Sequence, residues 1–190
     1  VLVVAHHIIM DGWSVGVLAA ELYEFYQSQC DKRSPRLPML PVQYTDYSVW
    51  QQSRMEQSEH RERLEQWCQR LADAPQSLNL PLTRARAPSP SFADAILESN
   101  MPAATVHKLR RWGQREGASL FMALLSTFQQ LLHELSGQDD LLIGCPVAGR
   151  IRPELEPMLG VFSNTLVLRS RHPAQQSARE HLRATREACL

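Results

Sequence analysis

At 190 residues and 44% hydrophobic, the chain is long enough to bury one good core or two small ones, and its composition is that of a soluble folded protein. The 20 basic and 20 acidic residues cancel, which removes the electrostatic reason to expect nucleic acid or an anionic membrane as the main partner. Cys30, Cys68, Cys145 and Cys189 are scattered without CxxC or Cys/His spacing, so neither a zinc site nor a disulfide framework is expected, and reduced thiols in a cytoplasmic setting are the default.

In chain order, "VLVVA" (Val1 to Ala5) reads as a fully buried strand with no preceding turn or cap, as in a chain that begins inside something longer. It lacks the basic flank of a signal peptide, and no apolar run nears the roughly 18 residues of a spanning helix. Leu18, Leu22, Phe25 and Tyr26 then fall at helical spacing, which predicts an amphipathic helix over 14–30 with Ser14 as its cap. Pro35, Pro38 and Pro41, at every third position, favour an extended connector. Residues 44–71 read as one further helix, with Leu64, Trp67, Cys68 and Leu71 on one stripe and Glu59/Arg63 and Arg61/Glu65 paired on the wet side.

Residues 73–92 hold Pro75, Pro81, Pro88 and Pro90 without a sustained period and are read as a linker or crossover. A strand over 93–100 follows, then a helix from Ala103 to Glu116 and a strongly apolar one from Ser119 to Leu135, with Gly117 as the stop and Ser119 as the cap between them. "DLLIGCPVAG" and "VFSNTLVLRS" read as strands, and Ala174 to Leu190 as a last helix. Strands interleaved with long helices predict an α/β architecture.

The densest chemistry lies in "HHIIMDGWS". If the first strand continues through His6 and His7, they point to opposite faces and cannot serve one site, so one of them is structural. Asp11 lies four residues after His7, and Gly12 permits a positive φ suited to a tight loop. The loop sits at a helix start, where the macrodipole disfavours imidazolium and favours a neutral imidazole that accepts a proton. The N–H groups there suit an oxyanion. Attack on a carbonyl with a histidine as base is the chemistry this pattern points to.

The HHxxxDG unit resembles the active-site motif of condensation domains of nonribosomal peptide synthetases, in the chloramphenicol acetyltransferase-like superfamily. "YTDYSVWQ" resembles that family's YxDYAxW segment, and "IGCPVAGRIRPELEPMLGVFSNTLVLR" is similar throughout to its IGxPVAGRxxPExExxxGxFxNTLxLR. The resemblance implies a two-lobe fold with an active-site tunnel between the lobes, present here as a partial fragment of both. Residues 1–92 would be the late N-terminal lobe with the crossover at about 73–92, and 93–190 the early, truncated C-terminal lobe. Trp13 and Ser14 after the glycine look most like the type joining two L-residues. Epimerisation domains more often carry a different tail there, and heterocyclisation domains replace both histidines by aspartates.

What the resemblance implies chemically is amide formation between a donor acyl or peptidyl thioester and an acceptor aminoacyl thioester. Both would ride on phosphopantetheine arms of upstream and downstream peptidyl carrier proteins, with an adenylation domain on the same synthetase, and no cofactor or metal bound directly. His7 would deprotonate or position the acceptor amine, and His6 would hydrogen-bond backbone and fix the loop. Asp11 would anchor the loop on a salt bridge to Arg150, Arg152 being the next candidate, and Gly12 would offer its N–H or serve the conformation alone. Trp13, Ser14 and Asn164 are tunnel-lining candidates, Asn164 as a buried amide in need of partners. Tyr44, Tyr47 and Trp50 fit a helix packing face. His60, His107, His133, His172 and His181 are read as surface residues. An ester-forming or other acyltransferase of the same fold, and a non-catalytic carrier-docking member, are the alternatives, and the isolated 190-residue piece is expected to be inactive and to associate.

Overall fold

A computed structural model of the chain describes residues 1–81, 95–173 and 176–190. Among these described residues, six α-helices and two strands run in the order α1 (Gly12–Cys30), α2 (Tyr44–Met55), α3 (Ser58–Leu71), α4 (Ala103–Arg115), α5 (Leu120–Ser136), β1 (Asp140–Val147), β2 (Asn164–Arg171) and α6 (Ala178–Cys189), with a short 3-10 turn at Pro153–Leu155. The strands pair into a two-stranded sheet. The chain folds into two compact units, one made of Val1–Arg70 and Gly144–Leu166, the other of Leu71–Ile143 and Val167–Leu190. Residues 144–166 thus pack with the first segment, whereas the sequence division placed them beyond residue 93.

In the first unit, α2 builds the core. Tyr47 is buried with Leu155, Met158 and Phe162, and Leu40, Val42 and Trp50 pack against them. The YTDYSVW spacing puts Tyr44, Tyr47 and Trp50 on one helix face, as read from sequence. Tyr47 lies with its ring centroid 4.7 Å from that of Phe162 and 5.9 Å from that of Trp50. The single long helix expected over 44–71 is two, because QQSRMEQSE offers one apolar side chain, Met55, and that one is exposed. With no packing face to hold a continuous rod, the chain restarts on the Gln57 carbonyl, which accepts from the His60 and Arg61 N–H groups. Glu59 and Arg63 pair at 2.5 Å, while Arg61 donates to the Glu56 carbonyl.

The strand expected at Val1–Ala5 does not form: a strand needs a neighbour for its N–H and C=O groups, and none of the described residues pairs with it. Residues 95–100 of the expected 93–100 strand are likewise irregular, and 93–94, like the 82–92 part of the expected linker, lie outside the described residues.

In the second unit, α4 packs on α5 and α5 on α6. Ala118, Ala123 and Leu182 form the buried centre, with Trp112 and Met122 against them. Gly113 allows the closeness, since a Cβ there would come within 2.9 Å of the Ala118 carbonyl. Gly117 turns the chain with φ +66°, and Ser119 caps α5 by accepting from the Met122 N–H at 3.2 Å, both as the sequence predicts. The last helix starts later than expected, capped by Ser177, and residues 174–175 lie outside the described residues. Glu116 takes Arg179 at 3.0 Å and Arg183 at 2.8 Å, fastening α6 to the end of α4.

Two of the five histidines read as surface residues are buried. His172 and His181 are 5% and 3% exposed, and with His133 they form a stack, with ring centroids 4.7 Å and 4.2 Å apart. Sequence placed them on polar faces because each is flanked by charged residues; the pairing of α5, α6 and the end of β2 is what covers them. Burial, then the neighbouring His181 and His133 rings, push the His172 proton affinity down from 6.5 to about 4, with Asp139 pulling weakly the other way. Burial pushes His181 in the same direction. The unfolded chain therefore binds more protons than the folded one below pH 6.5, so stability of this unit should be constant above that pH and fall as the pH drops toward 4. Urea midpoints at pH 7.5, 6 and 5 would check this, and a midpoint unchanged at pH 5 would contradict it.

Several apolar side chains lie open. On α5, Phe121, Leu124, Phe128, Leu131 and Leu135 are 38–50% exposed at positions that share one face, and Val1, Leu2 and Val4 are more exposed still. The 190-residue chain in isolation is expected to take up a hydrophobic dye and to self-associate. A monodisperse, dye-free monomer by light scattering would count against that.

Candidate functional site

The histidine loop turns over residues 7–9 and leads directly into α1. His6 folds back on this turn: its Nδ1 accepts from the Ile8 N–H at 3.0 Å and its carbonyl from the Ile9 N–H at 3.1 Å. That bond assigns the remaining proton of a neutral ring to Nε2. His7 is exposed and makes no hydrogen bond among the described residues.

Asp11, rather than Ser14, is the N-cap of α1. An aspartate cap satisfies an orphan N–H of the first turn and adds a favourable charge at the positive helix end. Here Oδ1 accepts from the Ser14 N–H at 2.9 Å, the Ser14 hydroxyl lies 2.8 Å away, and Arg150 Nη2 lies 3.3 Å away. Oδ2 accepts from the Phe162 N–H at 3.0 Å and the Ser163 N–H at 3.3 Å. Burial alone would push this carboxyl up, but the Phe162 and Ser14 donors and the Arg150 charge outweigh it and hold Asp11 well below the usual carboxylate range.

Arg150 is as enclosed as its partner, both side chains being 2% exposed. It donates to the carbonyls of Leu155 and Met158, to Asp11 and, at 2.9 Å, to the Ser14 hydroxyl oxygen. Its guanidinium carbon sits 4.2 Å from the Phe162 ring centroid and 5.7 Å from that of Trp13, a packing suited to a planar, weakly hydrated cation. Arg152, the other sequence candidate, lies instead over the Trp50 ring at 5.4 Å.

The left-handed glycine of this site is Gly149, not Gly12. Gly149 has φ +67°, and a Cβ there would overlap the Phe162 carbonyl, so the residue before Arg150 must be glycine for the arginine to enter. Gly12 is the first residue of α1 without a positive φ, and a Cβ built on it meets nothing within 4 Å.

Of the expected tunnel-lining residues, Ser14 is fully buried and turned toward Asp11, Arg150 and Gly160. Trp13 is half exposed and donates from Nε1 to the Glu156 carbonyl at 3.0 Å. Asn164 is exposed, not a buried amide, and its Oδ1 accepts from the Thr165 N–H at 2.8 Å, because among the described residues β2 has only β1 as a strand neighbour. Sequence reading placed Gly160 and Phe162 only as matched positions in the similar segment, with no role. The Tyr44 ring fills the place a Gly160 side chain would take, and its hydroxyl donates to the Val161 carbonyl at 2.9 Å. The order of YTDYSVW and LGVF in the sequence carries no sign of that contact. Among the described residues no group of three His, Cys, Asp or Glu is placed to hold a metal.

The sequence matches the family described as Condensation domain along residues 1–190. The chain belongs to the condensation domain family. A linear gramicidin synthase polypeptide from Brevibacillus parabrevis is 41% identical over 185 residues, which is 97% of this chain and 4% of that protein. Malpinin synthetase from Mortierella alpina is 37% identical over 192 aligned positions, the whole of this chain and 2% of that protein. Among solved structures, the X-domain from teicoplanin biosynthesis is 26% identical with a TM-score of 0.87, covering 97% of this chain and 42% of that one. The first condensation domain of the CDA synthetase, at 22% identity and a TM-score of 0.80, shares the fold over 97% of this chain and 41% of that one. The chain therefore has the chloramphenicol acetyltransferase-like fold of condensation domains, spanning about two-fifths of such a domain. No helix among the described residues is long and apolar enough to cross a membrane.

Proposed function

We propose that the polypeptide carrying this chain joins a donor acyl or peptidyl thioester to an acceptor aminoacyl thioester as an amide in nonribosomal peptide synthesis. One observation carries this reading: of the three titratable groups in HHIIMDG, two are already engaged. Asp11 is buried, with both oxygens taking donors, and His6 Nδ1 is occupied by the turn it stabilises. His7 is exposed and, among the described residues, has neither ring nitrogen engaged, whereas the exposed His6 ring, with Nδ1 taken, presents a donor at Nε2 and not a base. A base beside a helix start suits an amine nucleophile: the acceptor nitrogen attacks the thioester carbonyl, a C–N bond forms, the C–S bond breaks, and the proton lost by nitrogen passes through His7 to the leaving thiolate. The Gly12 N–H at the first turn would meet the developing oxyanion. No acyl-enzyme is required, since the acceptor amine attacks directly.

In this reading the thioesters are presented on phosphopantetheine arms of upstream and downstream peptidyl carrier proteins, and an adenylation domain of the same cytoplasmic synthetase loads them. Residues 1–92 belong to the late N-terminal lobe and 93–190 to the early C-terminal lobe, with Trp13 and Asn164 facing the tunnel. Trp13 and Ser14 after the glycine support the type that joins two L-residues. A docking-only role is the second reading, favoured by the likeness to an X-domain solved in complex with OxyB.

Single-turnover transfer from a loaded donor carrier to an aminoacyl acceptor carrier separates these. An amide-linked product on the acceptor arm is expected. Product only with a hydroxy-acyl acceptor would make the protein an ester former, and binding of carriers without any transfer would make it a docking member.

A further inference from the structure

Ser14 is the most connected hydroxyl of the site and the sequence reading gave it another task. Its side chain is fully buried, so it touches no substrate. The hydroxyl oxygen accepts from the Gly160 N–H at 3.1 Å and from Arg150 Nη2 at 2.9 Å, which fills both lone pairs. The hydroxyl oxygen lies 2.8 Å from Asp11 Oδ1 and 2.8 Å from the Gly160 carbonyl oxygen, and its single proton is donated to one of them at a time. The Asp11 N–H donates to that same carbonyl at 3.1 Å. Both polar groups of Gly160 are therefore clasped by the first turn of α1, and the clasp and the buried ion pair share one atom.

We propose that Ser14 is a positioning residue for the histidine loop. This rests on the reading of His7 given above. The ion pair fixes charge but leaves direction loose, because Arg150 meets Asp11 at 3.3 Å through one nitrogen, shares that nitrogen with the Ser14 hydroxyl and spends the other on carbonyls. The hydroxyl supplies what is missing: it ties the start of α1 to the Gly160 peptide, and Asp11, the end of the loop that bears His7 four residues earlier, is held through the same carbonyl. Remove the hydroxyl and Gly160 N–H loses its acceptor in a buried place, while Asp11 and Arg150 keep each other. The loop end gains freedom.

The test is made in the full condensation-domain polypeptide with carrier-bound substrates, comparing Ser14→Ala, Ser14→Cys, Ser14→Thr and His7→Ala. Ser14→Cys keeps the volume with a poor hydrogen-bonding group, so it covers the case in which Ser14→Ala does not fold. For the folded Ala or Cys protein we expect kcat to fall, to the extent of about 10²-fold where the loop shifts by 1 Å, with KM for the acceptor carrier unchanged. Recovery of kcat in Ser14→Thr, which restores a hydroxyl, also supports the proposal. Folded Ser14→Ala and Ser14→Cys proteins with the parent kcat would overturn it while leaving the His7 reading intact, provided His7→Ala is slow. A His7→Ala protein as fast as the parent would overturn both.

Discussion

His7→Ala in the full condensation domain is expected to slow amide formation by about 10²–10⁴-fold, the loss typical of a positioned acid–base group. Asp11 cannot substitute, because its carboxylate is buried, held ionised by Arg150 and the Phe162 and Ser14 donors, and has no open lone pair facing solvent. His6 cannot either, since turning its Nδ1 outward would release the Ile8 N–H. The pH dependence separates two ways in which His7 can act. A free α-amine has a pKa of about 7.7, so at pH 7 most acceptor is ammonium and a base has work to do, whereas at pH 9 the amine is already neutral. If His7 deprotonates the acceptor ammonium before attack, the deficit of His7→Ala shrinks toward pH 9; if it takes the proton as the C–N bond forms or orients the amine by hydrogen bonding, the deficit stays constant. Single-turnover rates at both pH values would show which, and an unchanged rate at pH 7 would take His7 out of the chemistry. His7 is exposed and without partners among the described residues, so folding stability should move by no more than about 0.5 kcal/mol.

The motif and the helices were legible because they rest on local signals. Periodicity located α1, α4 and α5 nearly to the residue, and Ser119 and Gly117 punctuated the chain as read. The errors fall where a distant part of the chain decides. Asp11 outcompetes Ser14 as the α1 cap because residues 160–163 pack against this turn and give both side chains buried partners. Gly12 and Gly149 are alike as letters, yet only Gly149 lies under a carbonyl from 13 residues on. His172 and His181 carry charged neighbours in sequence and still end inside, because α5, α6 and β2 enclose them. Strands were over-read at Val1–Ala5 and 95–100 for the converse reason: apolar composition states a willingness to pair and not the presence of a partner.

Asp11→Ala should do to stability what His7→Ala does to rate. The substitution leaves Arg150 as a buried charge with carbonyls and one hydroxyl for company, strips the Phe162 and Ser163 N–H groups of their acceptor, and removes the α1 cap. Breaking one side of a buried ion pair costs about 3–5 kcal/mol, a large part of the roughly 5–15 kcal/mol that typically holds a domain together. Asp11→Asn keeps an acceptor and the cap but loses the charge, and half of its amide then confronts N–H donors, so it should fall between the parent and Asp11→Ala. Replacing Arg150 by methionine in the Asp11→Ala background removes the orphaned charge, and the double variant should be more stable than Asp11→Ala alone. The pH dependence has a definite sign: a carboxyl whose folded proton affinity is depressed stabilises above its unfolded value near 3.8, and that contribution fades as the pH falls below it. Urea unfolding of the four proteins at pH 7 and at pH 3 and below would measure this, and an Asp11→Ala protein as stable as its parent at pH 7 would mean that the contacts around Arg150 hold without their anion.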